Sequence, residues 1–194
     1  PSSGGIALVE MLNVLEGFDL KEEGFGSAQY LHLLAETMRR GFADRARHLG
    51  DPDFNPEIPV ERLTSKEYAR KLRGSITLTK ASVSDPATFN EAYESNHTTP
   101  YSIMDAQGNS VVVTFTLQDL FGSKIVAGGT GVLLNNEMTD FDSKLEATGE
   151  TGKIDTPPNL IRPHKRMLSS MSRLSWSKTA NRFCCWGRAG DARS

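Results

Sequence analysis

The segment Asn96-His97-Thr98-Thr99-Pro100-Tyr101-Ser102 places two threonines where the chain changes character, from helix-forming before to strand-forming after. Inside a chain, a threonine hydroxyl is a weak nucleophile because no base takes its proton. Cutting the peptide bond ahead of Thr98 changes that: the residue then carries a free α-amine beside its own hydroxyl, a base and a nucleophile together. An α-amine titrates near pH ~8 in model peptides, close enough to neutrality to accept the hydroxyl proton and return it to a leaving group. The same residues also have a plain reading. A Thr-Thr pair in polar surroundings caps or turns the chain, and Asn96-His97-Thr98 matches the glycosylation sequon.

Other reactive residues offer less. The four histidines, His32, His48, His97 and His164, lack metal-ligand spacing, so no metal site is expected. Cys184 and Cys185 are adjacent and cannot bridge each other without strain, which leaves the redox compartment open. Gly128-Gly129-Thr130-Gly131 lacks the lysine and helix start of a nucleotide loop, and no cofactor is expected. With a net charge of −2 and its Lys and Arg spread along helices, the chain has no basic field for nucleic acid. No apolar run approaches the length of a membrane span. Pro1-Ser-Ser-Gly-Gly has neither the cationic start nor the apolar stretch of a signal peptide, and reads as an interior loop.

The elements that must position the threonine follow from periodicity. A chain of 194 residues, 38% hydrophobic and 24% charged, is long enough for one good core. Residues 5–16 are apolar on most faces and predict a buried helix closed by Gly17 as a left-handed cap. Ser27 caps a longer amphipathic helix over 28–48, with Leu31, Leu34, Met38, Phe42 and Ala46 on one side and Glu36, Arg39 and Arg40 on another. Ser65 caps a third over 66–73, and 75–94 reads as a loop. Beyond the hinge, 101–105 and 110–117 predict a hairpin turning at Gln107-Gly108-Asn109, followed by short strands at 125–127 and 131–134.

Taken together, Pro1-Ser-Ser-Gly-Gly, Gly50-Asp-Pro-Asp-Phe54, Thr98-Thr99 with Tyr101-Ser102, Phe121-Gly-Ser, Ile125-Val-Ala-Gly, Leu133-Leu-Asn-Asn-Glu-Met138 and Leu168-Ser-Ser-Met-Ser172 resemble the γ-glutamyltranspeptidases, N-terminal-nucleophile hydrolases. The motifs occur in order and at compatible spacing from Pro1 to about Ser172. The resemblance implies an α+β fold, part of a four-layer αββα sandwich. It implies a precursor that cuts itself into a large and a small subunit, which then form a heterodimer. Residues 1–97 would be the mainly helical end of the large subunit and 98–172 the mainly β start of the small one. The activity implied is γ-glutamyl transfer and hydrolysis on glutathione-like donors, with water, an amino acid or a peptide as acceptor and no cofactor. A periplasmic or extracellular location is implied by the family alone.

By the same resemblance, Thr98 is the nucleophile, His97-Thr98 the processing bond, and Thr116 the residue that positions the nucleophile. Glu137 and Asp140 match the pair that holds the substrate's α-ammonium, and Ser169 and Ser170 the serines that hold its α-carboxylate. Gln118 stands where the family has a substrate-binding asparagine, and Pro100 where it has a histidine, removing a backbone donor. The chemistry is consistent with these roles. A zwitterionic amino-acid end needs anionic acceptors for its ammonium and donors for its carboxylate. Alone, Thr116 would be a cross-strand residue, Glu137 with Asp140 a solvated turn, and Ser169-Ser170 a loop. A related acylase acting on β-lactam side chains would share the mechanism but favour an apolar pocket. An inactive product of a damaged gene is the non-enzyme reading.

Residues 173–194 look foreign to what precedes them. Both tryptophans and both cysteines fall here, with five Lys/Arg against one Asp, and the turn-punctuated strand pattern is expected to vanish. With suitable synonymous codons, the same nucleotides read one base earlier encode PTIVVKDGKPVLLLGSGGGRTI, a strand, a turn, a second strand and a glycine run. The expectation is a frameshift immediately after Ser172.

Overall fold

The computed structural model describes residues 3–83, 98–107, 109–142, 157–178 and 181–188. Its helical half comprises α1 (Gly4–Leu15), α2 (Leu20–Glu23), α3 (Ala28–His48), α4 (Val60–Leu63) and α5 (Lys66–Gly74). The strands are β1 (Thr99–Met104), β2 (Ser110–Phe115), β3 (Ser172–Lys178) and β4 (Asn181–Arg188). Helices α3 and α5 start at serine caps that satisfy a free N–H of the first turn: Ser27 Oγ accepts from the Tyr30 N–H at 3.0 Å and Ser65 Oγ from the Tyr68 N–H at 3.1 Å.

Two helical expectations need correction. Gly17 is not among the left-handed residues. A Cβ there would meet the movable Arg73 guanidinium, which reaches over the end of α1 to donate to the carbonyls of Val14 (3.1 Å) and Asn13 (3.2 Å). An arginine from α5 thus closes α1. On α3 the buried side is mixed. Leu33, Glu36, Thr37, Gly41, Asp44 and Ala46 are buried, Leu34, Met38 and Phe42 are half-buried and Leu31 is exposed, and on α1 Glu10 and Asn13 are buried beside Ala7 and Val14 while Val9 and Leu12 are exposed. Glu36 and Asp44 find partners inside. Glu36 accepts from Arg40 at 2.7 Å and from the Ser82 N–H at 2.9 Å, and Asp44 accepts from the Tyr68 hydroxyl at 2.7 Å.

One apolar cluster among the described residues is Leu49, Leu63 and Leu168, flanked by Ile6, Ile58 and Tyr68. Leu168 comes from the far end of the chain and is held there by a clamp. Asp51, buried in the Gly50-Asp-Pro-Asp-Phe54 turn, accepts from the Arg166 backbone N–H at 2.8 Å and from its guanidinium at 2.5 Å, while Asn55 Nδ2 donates to the Pro158 carbonyl at 3.0 Å. The turn motif therefore fixes the approach to residues 168–170.

Strand β1 pairs antiparallel with β2, Thr99 opposite Phe115 through Met104 opposite Ser110. Their turn is closed by Asp105, whose carboxylate accepts from the N–H groups of Gln107 (3.0 Å) and Asn109 (2.8 Å). The strands expected at 125–127 and 131–134 shrink to a single bridge, Val126 with Leu133. Left-handed Gly129 and Gly131 spend that segment on turning. The expectation that strand pattern vanishes after Ser172 is also corrected. Residues 172–178 and 181–188 form an antiparallel hairpin, Arg173 opposite Gly187 and Ser175 opposite Cys185, with β4 beside β1 and β2. Leu174 and Trp176 alternate with serines in the sequence, a period-two pattern compatible with a strand. The two sheets are two-stranded and separate, so the fold described is mixed helix and strand. Among the described residues no helix is long and apolar enough to cross a membrane.

Candidate active site

Hairpin register sets the position of Thr98. One step beyond the Thr99–Phe115 pair, it faces Thr116, and its hydroxyl donates to Thr116 Oγ1 at 3.0 Å. Thr116 Oγ1 also accepts from the Gln118 N–H at 2.9 Å. Two donors on one oxygen hold both threonine side chains, and Thr98 itself is half-buried.

Gln118 is bent into the left-handed region at φ 74°, an uncommon conformation for a long side chain. From there its Nε2 donates to Asp140 Oδ1 at 2.6 Å. Asp140 closes the 3₁₀ turn Glu137–Asp140, which Asn135 starts by accepting the Glu137 N–H at 3.0 Å. The turn is tied to the Gln118 segment by Asn136, which accepts the Asp119 N–H at 3.1 Å and donates to the Asp119 carboxylate at 2.6 Å. Burial pushes the Asp140 carboxyl above its ordinary value, although Gln118 and Arg45 oppose the shift. Glu137 is raised for the same first reason, then by the charge of Asp140. Two coupled carboxyls short of compensating charge are suited to receive a cation.

Asn159 joins this turn to the serines. Its Nδ2 donates to the Asp140 carbonyl at 2.6 Å, and its Oδ1 accepts from the Leu168 N–H at 2.8 Å. Ser170 Oγ then accepts from Arg45 Nη2 at 3.0 Å, and Ser169 Oγ from the Met171 N–H at 3.1 Å. Thr98, Thr116, Gln118 and Asp140 thus form one chain of hydrogen bonds. Ser169 and Ser170 join it through Asn159 and through Arg45, which feels the charge of Asp140. Glu137 is coupled by charge alone. His97 lies outside the described residues, and no group of His, Cys, Asp and Glu among them could hold a metal.

Sequence reasoning missed Arg45, Ser3 and Asn159. Arg45 had a signal: Thr37, Gly41, Asp44, Arg45 and His48 recur at helical spacing as a polar stripe, the pattern of a face turned inward to polar partners. Asn159 lies just past two prolines and had none.

The family model for γ-glutamyltranspeptidase matches residues 1–193. The chain belongs to this family. The glutathione hydrolase proenzyme of Escherichia coli (strain K12) is 44% identical over 195 residues, covering 100% of this chain and 33% of that protein. The acylase ACY 1 proenzyme of Pseudomonas sp. (strain SE83) is 44% identical over 172 residues, 89% of this chain and 28% of that protein. Among solved structures, cephalosporin acylase from Bacillus halodurans superposes with a TM-score of 0.60 over 86% of this chain and 27% of that one, at 23% identity, a likeness of fold alone. The chain spans about a third of the length of the curated relatives it matches.

Proposed function

We propose that this chain carries the nucleophile and most of the amino-acid pocket of a γ-glutamyltransferase and glutathione hydrolase. The observation that carries the proposal is the Thr98 hydroxyl held on Thr116 at 3.0 Å, one hydrogen-bonded residue away from the Gln118–Asp140 pair. Cleavage of the His97–Thr98 bond frees the Thr98 amine and divides the precursor into two subunits that stay associated. The amine takes the hydroxyl proton as Oγ1 attacks the γ-carbonyl of the donor. The tetrahedral intermediate collapses, the amine protonates the departing nitrogen, and a γ-glutamyl ester remains on Thr98. Water or an amino acid resolves it by the reverse steps. Glu137 and Asp140 receive the α-ammonium and the hydroxyls of Ser169 and Ser170 the α-carboxylate. In the complete enzyme the helices and hairpins are parts of a four-layer αββα sandwich.

The relative named as an acylase keeps a second reading in view, acyl transfer from a β-lactam side chain. Glu137 and Asp140 favour the γ-glutamyl reading, because an acyl group without an ammonium gives two half-buried carboxyls no cationic partner. A donor panel separates the two: release from γ-glutamyl anilides with none from glutaryl or adipyl amides is expected, and the opposite preference would overturn the assignment.

The frameshift after Ser172 bears on activity. In the shifted reading a glycine run follows the second strand, where backbone N–H groups would serve the oxyanion, each worth on the order of 3 kcal/mol. Read as it stands, 173–194 does not encode that run. Residues 1–194 alone are therefore expected to release γ-glutamyl groups weakly or not at all. Robust turnover by the purified chain, or coding DNA whose codons do not permit the shifted reading, would contradict the frameshift.

A further inference from the structure

Arg45 is used by nothing in the reaction just described, yet it sits where the two halves of the chain meet. From α3 its Nη2 donates to Ser170 Oγ and its Nε to Ser3 Oγ, each at 3.0 Å. Ser3 passes the contact on: its hydroxyl and its N–H both donate to the Ser169 carbonyl, at 2.9 and 2.8 Å. A guanidinium has donors only, so the Ser170 oxygen it touches must accept, and the Ser170 proton is directed elsewhere. Ser169 is in the same state, its oxygen taken up by the Met171 N–H at 3.1 Å. Both hydroxyls are thus fixed with their acceptor side occupied and their protons available. That is the arrangement an incoming carboxylate needs, since a freely turning hydroxyl must lose that freedom on binding.

The surroundings explain how a mostly shielded guanidinium is tolerated there. Removal from water disfavours its charge, and Asp140 and Asp142 offset part of that cost. Arg45 thus feels the charge of the acid that would hold a substrate ammonium while it donates to the serine that would hold the carboxylate on the same carbon. It also precedes the His97–Thr98 bond in sequence, whereas both serines follow it.

We propose that Arg45 is a positioning residue that orients the Ser170 hydroxyl as a donor toward the substrate's α-carboxylate and, through Ser3, holds the Ser169 backbone beside it. The proposal rests on the γ-glutamyl reading above and adds to it the group that sets serine orientation.

The test compares two donors in the full-length precursor whose family reading frame continues past Ser172: γ-glutamyl-p-nitroanilide and its counterpart with an α-carboxamide in place of the α-carboxylate. In Arg45→Met the preference for the carboxylate donor, read as the ratio of the two kcat/KM values, is expected to fall about tenfold or more, mainly through KM. Arg45→Lys, which can serve only one serine at a time, should retain part of it. Ser3→Ala removes only the Nε branch and should lower the ratio by a smaller factor, which keeps the test decisive if Arg45→Met folds poorly. Equal losses on both donors in every variant, or no loss on either, would overturn the positioning role and leave the γ-glutamyl reading standing. Failure of the unaltered enzyme to release p-nitroaniline from the carboxylate donor would overturn both.

Discussion

Two aspartates less than a hundred residues apart show how the same side chain is put to different use. Asp51 accepts from the Arg166 backbone and guanidinium together, and those hydrogen bonds hold its carboxyl well below the usual carboxylate range despite burial. Asp140 has one side-chain amide and a more distant Arg45, and burial wins, raising it. Asp51 is fully answered from within the protein and does structural work. Asp140 is left short of positive charge, in a turn with a second raised carboxyl, as the proposed ammonium site requires. The lesson is that burial alone does not mark a binding acid; burial without sufficient internal compensation does.

Asparagine substitutions break that comparison most sharply. Asp140→Asn should lower kcat/KM for a γ-glutamyl donor by about a hundredfold, because a charge-assisted contact to the ammonium is lost. Its melting temperature should hold or rise, since the charge removed was costly to bury. Asp51→Asn should do the reverse, lowering Tm by roughly 3–10 °C as the Arg166 clamp loosens. The sign of the pH effect follows from the depressed carboxyl. Stability from Asp51 is present above its ordinary value of 3.8 and is lost as pH falls below it, so the variant should show a flatter acid limb in thermal melts.

Glu10 sharpens the comparison from a third direction. Buried on α1 beside Asp44, its carboxyl is pushed up to about 8, by burial first and by Asp44 second. It carries its proton near neutrality. Stability tied to that proton is complete below about 4.5 and drains away as pH rises through about 8. Glu10→Gln should remove this decline, with a gain of roughly 1–2 kcal/mol at pH 8 after allowance for solvent screening. Melts across pH 5 to 9 check it. The smallest effect is expected at Gln118. Replacement by asparagine, which accepts a left-handed backbone more readily, should relieve up to about 1 kcal/mol of strain and change kcat/KM by less than about fivefold.

Much of the local structure was legible because local rules decide it. Helix α3 begins and ends as its serine cap and periodicity require, and the β1–β2 hairpin follows its Gln-Gly-Asn turn. What was illegible depended on partners distant in sequence. Gly17 looked like a left-handed cap, whereas Arg73 closes that end of α1. The burial of Glu36 and Asp44 on α3 was illegible because they are answered by Ser82 and Tyr68, residues periodicity cannot pair with them. At the site, spacing and resemblance supplied Thr98, Thr116, Gln118 and Asp140, and the fold joins them. Arg45 showed only as part of a polar stripe, and Ser3 and Asn159 not at all, because their meaning lies in tertiary contacts.

The central claim is tested most directly by mapping where a γ-glutamyl group lands. The full-length precursor in the family reading frame is mixed with a γ-glutamyl donor, quenched in acid within one turnover and analysed by mass spectrometry. The account predicts a fragment beginning at Thr98 that carries the γ-glutamyl group as an ester on that residue, absent from Thr98→Ala. An uncut chain that still turns over, or a γ-glutamyl group carried by any other residue, would contradict it.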